Sequence, residues 1–195
     1  MTLNYFFKWI GRIFFSLLIL TIALMANEEP DYIVLKKESE IEIRQYKNFL
    51  TASIEMEGER KEAIGKGFRS LFKYISGENK NKESISMTIP VMQKSSGNNK
   101  WNISFVVPKK FDIKNAPQPD NANIQLKNNI DLKVIAITFS GLFSDVNIQE
   151  NETKLRNYIK EKGIKIEEPA IYAGYNAPWT PWFLKRNEVM FKLIN

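Results

Sequence analysis

The chain has 195 residues, 44% of them hydrophobic and 26% charged, with a formal charge of +6. This is the composition of one globular domain that buries roughly 70% of the surface its unfolded chain exposes. It holds no cysteine and no histidine, which removes Cys/His zinc sites, thiol redox chemistry, cysteine nucleophiles and Ser–His pairs, and leaves Asp, Glu, Lys and Tyr as the acid–base groups.

Residues 1–26 read as an address. Lys8 and Arg12 form a short basic region, Ile13 to Ala26 is apolar apart from Ser16 and Thr21, and Asn27-Glu28-Glu29-Pro30 then changes the composition abruptly. A basic start, an apolar centre and a small final residue make a secretory signal, with cleavage expected after Ala26. The alternative is a retained membrane anchor over residues 3–26, for which the uncharged run is short. Export to the periplasm or the exterior is the expectation, with contact to a membrane only if this segment is retained. Residues 27–195 form the folded domain.

The first half of that domain alternates apolar and polar residues over Ile41–Tyr46 and again over Leu50–Glu57, predicting two strands. Residues 59–75 switch to helical spacing, with Ile64, Phe68, Leu71, Phe72 and Ile75 on one face, and Gly77 ends the helix. Strands are predicted at Ile85–Met92 and Trp101–Val107. Pro108 to Asn123 is a polar loop. The second half repeats the order: a strand over Leu132–Ser140, a helix over about 147–162 ended by Gly163, and strands at Pro169–Tyr175 and Glu188–Ile194. Strand–strand–helix–strand–strand, twice, predicts an α+β fold with an internal pseudo-two-fold repeat. Its strands form a curved antiparallel sheet or distorted barrel, and its two helices pack outside.

Gly58, Gly65, Lys66 and Gly67 do not have the spacing of a phosphate loop. No dense basic stripe interleaved with aromatics is present, so nucleic acid is not an expected partner. Met87-Thr88-Ile89-Pro90 places in a strand a proline that cannot donate to a ladder; Met87 can fill core or line a pocket. The unusual stretch is Tyr175-Asn176-Ala177-Pro178-Trp179-Thr180-Pro181-Trp182-Phe183. Its prolines pre-order a loop and its aromatic rings can either stack on a flat ligand or fold onto the core. Arg186 can pair with Glu188 or, like Lys185, receive a ligand carboxylate.

Taken together, several runs resemble the SOUL heme-binding family over about residues 30–194. They are Ile41-Glu42-Ile43-Arg44-Gln45-Tyr46, Gly67-Phe68-Arg69-Ser70-Leu71-Phe72-Lys73-Tyr74, Ile85-Ser86-Met87-Thr88-Ile89-Pro90-Val91, Tyr175-Asn176-Ala177-Pro178-Trp179-Thr180-Pro181 and Arg186-Asn187-Glu188-Val189. The resemblance implies reversible binding of heme or another tetrapyrrole in a hydrophobic cleft beside the first helix, without catalysis. Phe68 matches an apolar helix position thought to touch the ring, and Lys73 a basic one facing the porphyrin carboxylates; Arg69 joins it by helical geometry. The expected ligand-facing set is Ile64, Phe68, Arg69, Leu71, Phe72, Lys73, Met87, Tyr175, Trp179 and Arg186. A histidine iron ligand cannot be transferred to a chain without histidine. Tyr, Met or Lys could ligate iron, and no one of them is singled out. Two other functional classes stay open on the residues: a binder of other amphipathic molecules, and an enzyme acting on tetrapyrroles.

Overall fold

A computed structural model describes residues 28–194; the leader read over residues 1–26 lies outside them. The elements in chain order are β1 (Tyr32–Glu38), β2 (Ile41–Tyr46), β3 (Phe49–Glu57), α1 (Arg60–Ile75), β4 (Val91–Gly97), β5 (Lys100–Val106), β6 (Gln125–Asn129), β7 (Lys133–Phe139), α2 (Asp145–Glu161), β8 (Ile166–Gly174) and β9 (Asn187–Leu193). The nine strands form one antiparallel curled sheet in the order β1-β2-β7-β9-β8-β4-β5-β3-β6. It has two free margins and is a half-barrel, not a closed barrel. In the first half β3 pairs with β5 and β5 with β4; in the second β7 pairs with β9 and β9 with β8. The β4–β8 ladder joins the halves. Among the described residues no helix is long and apolar enough to cross a membrane.

Strand alternation divides the apolar residues between two faces. On the outer face α1 covers Ala52, Ile54, Ile103 and Phe105, while α2 covers Ile135, Ile137, Val189 and Phe191. On the inner face Tyr46, Val134, Ala136, Ala173, Tyr175 and Met190 form a third cluster. The helix ends are closed locally. Ser144 accepts from the Asn147 amide at the start of α2, and buried Asn79 donates to the Tyr74 carbonyl at the end of α1 (3.0 Å) while bonding Glu83 in both directions.

Three local expectations are corrected. The strand predicted at Ile85–Met92 begins only at Val91 and runs to Gly97, because Pro90 has no amide to donate and the preceding segment makes no ladder. Two strands, β1 and β6, were not among those predicted; both border the sheet and carry little apolar alternation. The buried face of α1 is rotated from the predicted one: Ala63, Gly67, Leu71, Tyr74 and Ile75 face the sheet. Gly67 is the reason. A Cβ there would lie 2.7 Å from Ile103 Cδ1, so the helix sits close on β5 at its small residues and turns Phe68 and Phe72 to one flank.

Candidate functional site

The flank of α1 is the most unusual apolar surface on the helices. Phe68 and Phe72, one turn apart, lie with their planes 9° from parallel and their centroids 6.2 Å apart. Phe72 is 50% exposed and Phe68 37%. Beneath them the edge of Phe68 meets the buried ring of Phe105 at 5.1 Å. Register extends this floor across the sheet. Phe105 pairs with Val91, and Val91 with Gly174. Half-buried Val91 packs against the core beneath α1, and the Phe143 ring lies against Gly174, where a Cβ would meet it at 3.5 Å. Two strand spacings, about 10 Å, thus separate the strand under Phe68 from the strand under Phe143. Arg60 fills the space between the first turns of the helices. Its guanidinium lies 5.4 Å from the Phe143 ring centroid and 5.9 Å from that of Trp101. It donates to Gln93 at 2.7 Å and pairs with Asp145, while its buried Nε has no partner.

Cations occupy the outward and opposite sides of the same helix. Lys66, Arg69 and Lys73 line a cavity of about 370 Å³ with Ser70 and Tyr74. Lys66 pairs with Glu62 (2.7 Å) and Lys73 weakly with Glu78 (3.5 Å); Arg69 has no ion pair among the described residues. Positions 69 and 72, three apart, are surface neighbours on a helix, so a cationic edge adjoins the phenylalanine pair. A second hollow, of about 440 Å³, lies beside residues 28–31 and is bordered by Glu28, Glu29, Asp31 and Asp112 against Lys47 and Lys109. Its acidic excess suits an anionic ligand less well.

The expected site residues do not form one cleft. Ile64, Phe68 and Phe72 share the flank of α1, and Arg69 and Lys73 its cationic edge. Leu71 has no exposed surface and is core, because it points straight at the sheet beside Gly67. Met87 is half-buried against the same core. Tyr175 and Arg186 lie on the inner face. There Arg186 stacks on the Tyr175 ring at 3.8 Å and donates to Glu188 at 2.8 and 3.0 Å. Tyr175 donates to the same carboxylate at 2.9 Å. Trp179 stands at the tip of the β8–β9 turn, 86% exposed. Sequence reasoning missed Phe105, Val91 and Phe143. The strand predicted at Trp101–Val107 contains Phe105, but only the register and the helix placement reveal that it underlies Phe68.

For heme, the residues fit part of the group. Parallel rings suit the macrocycle face, and Arg69 with weakly paired Lys73 suits its carboxylates. Tyr74, the tyrosine of this helix, is buried and engaged with the Pro117 carbonyl at 2.8 Å, and among the described residues no group of three or more metal-ligating acids is present.

The family model of the SOUL heme-binding proteins matches residues 27–192. Heme-binding protein 1 of mouse is 24% identical over 135 residues, covering 66% of this chain and 70% of that protein. The pig protein of the same name is 26% identical over 136 residues, with the same coverage. Among solved structures, the C-terminal domain of EcmrR superposes with a TM-score of 0.61 at 10% identity, over 80% of this chain and 97% of that one. A structure described as a hydrolase from Listeria innocua does so at 0.57 and 10%, over 82% and 94%. At these identities the two structures show the fold alone.

Proposed function

Because this chain belongs to the SOUL heme-binding protein family, we propose that it reversibly binds heme or a related tetrapyrrole on the flank of α1, as a carrier, buffer or sensor and not as a catalyst. The observation that carries the reading is the exposed, parallel Phe68–Phe72 pair beside Arg69, which has no ion pair among the described residues. The macrocycle lies against the phenylalanines over Phe105 and Val91, and its carboxylates reach Arg69 and Lys73. Burying about 400 Å² of apolar ligand surface contributes on the order of 10 kcal/mol, and association costs of about 4–15 kcal/mol offset much of it. Heme supplies its own iron chemistry when bound. The residues of this chain hold its faces and acidic edge, and that division favours reversible over permanent occupancy. The setting we propose is the cell envelope, reached through the leader over residues 1–26.

Titration of the purified chain with hemin, followed in the Soret band, tests the reading. A saturable shift weakened by Phe68→Ala with Phe72→Ala is expected. No shift, or one indifferent to both changes, overturns it; stabilisation by apolar non-tetrapyrroles alone would favour the broader amphiphile-binding reading.

A further inference from the structure

We propose that the β8–β9 turn and the neighbouring loop before α2 form a surface that seats on a lipid bilayer. Six large apolar side chains lie on these two segments and the first turn of α2 with 60–86% of their area exposed: Leu142, Val146, Trp179, Trp182, Phe183 and Leu184. The Gly141 amide donates to the Trp182 carbonyl at 3.0 Å, and the Asn187 side chain donates to the Gly141 carbonyl at 3.0 Å, so the two segments are one surface. A contiguous apolar patch on a folded domain marks a binding surface.

The turn is finished rather than waiting to fold inward. The Thr180 amide donates to Ala177, that of Leu184 to Pro181 and that of Lys185 to Trp182, at 2.9–3.2 Å. The Arg186 amide donates to the Asn176 side chain at 2.6 Å. These four amides can enter a medium of low polarity without losing hydrogen bonds to water. Tryptophan, phenylalanine and leucine beside a lysine, here Lys185, is the composition of a segment resting at the headgroup boundary.

The chain itself argues for lipid over another occupant. Glu29 pairs with Arg186, the residue that closes this turn, at 3.0 Å. The 27 residues preceding Glu28 contain the apolar run Ile13–Ala26. The described chain therefore starts beside the base of the exposed turn, and the sequence ahead of it carries an apolar run.

Tryptophan emission of the full chain, reconstituted with vesicles of phosphatidylcholine and phosphatidylglycerol carrying brominated acyl chains, tests this. Trp9→Phe removes the leader's fluorophore and leaves Trp101, Trp179 and Trp182. Bromolipid should quench this protein relative to unbrominated vesicles. The quenching should vanish when Trp179→Phe and Trp182→Phe are added, changes that keep the surface apolar. Failure to associate with vesicles, or quenching that survives those two changes, overturns the proposal. So does an emission shift that depends on protein concentration without lipid, which would assign the patch to a second copy.

Discussion

Arg44 Nη1 donates to Glu188 Oε2 across 2.8 Å with both side chains sealed from solvent, joining β2 to β9 on the inner face of the sheet. Burial alone would lower the pKa of Arg44, but the charge and hydrogen bond of Glu188 raise it above the ordinary arginine range. The same carboxylate takes the Tyr175 hydroxyl and Arg186. Arg44 is in turn held by Glu42 at 2.8 Å. Breaking a buried pair leaves one charge without its counterpart, at a cost of about 3–5 kcal/mol. Urea unfolding should show losses of that size for Arg44→Met and for Glu188→Met singly. The double variant should lose less than their sum, since the two partners of this contact are then removed together, although Arg186 and Glu42 each still lose one.

Gly65 and Gly67 should respond to alanine in opposite directions. At Gly67 the new methyl meets Ile103 at 2.7–2.9 Å, and overpacking of this kind costs about 1–3 kcal/mol. At Gly65 it meets only Arg69 Nη1, at 3.5 Å, so Gly65→Ala should stabilise α1 by up to about 1 kcal/mol. Thermal unfolding of the two variants distinguishes these outcomes.

Alkaline pH should loosen the protein through its buried tyrosines. Burial, followed by the nearby Glu83 charge, pushes the Tyr74 hydroxyl from 10.0 up to about 12. Burial and Glu188 do the same to Tyr46. Below pH 10 these groups are protonated in both states and their contribution is complete. Between pH 10 and 12 the unfolded chain ionises first, so stability falls with rising pH. Tyr74→Phe should lower stability at neutral pH by about 1 kcal/mol through its lost bond to Pro117, yet give a shallower decline over the alkaline window. Denaturation midpoints measured across that window provide the check.

Ligand recognition can be divided between ring and carboxylates. If the phenylalanine pair supplies the ring contact and no side chain holds the iron, metal-free protoporphyrin should bind within about tenfold of hemin. Esterifying the carboxylates should weaken binding about tenfold. Arg69→Ala with Lys73→Ala should erase the difference between acid and ester. Paired fluorescence and absorbance titrations read both ratios.

Much of the architecture was legible in the sequence because two periods, 2.0 and 3.6, alternate along it with glycines at the breaks. Both helices and most strands sit where those periods place them. Strands β1 and β6 escaped because a border strand with one weakly buried face need not alternate. The candidate site was legible only in part, for a related reason. Periodicity puts Phe68, Leu71 and Phe72 on one apolar face and does not say which of them reach a ligand and which are core. The close approach permitted by Gly67 decides that, and a helix wheel does not encode it. Tyr175 and Arg186 were flagged for aromatic and basic character, but strand parity and Glu188 send them to the opposite side of the sheet from α1.

The sheet's open margins carry a hazard of their own. Strand β1 exposes Ile33, Val34 and Leu35 along an unpaired rim, the kind of template on which a foreign strand can polymerise. A register break between Val34 and Lys36 interrupts that rim, and Lys36 and Lys37, paired to Glu38 and Glu42, fence it with charge. These features act against fibril growth, so the irregularity in β1 blunts the one edge of the sheet that carries exposed aliphatic side chains in a row.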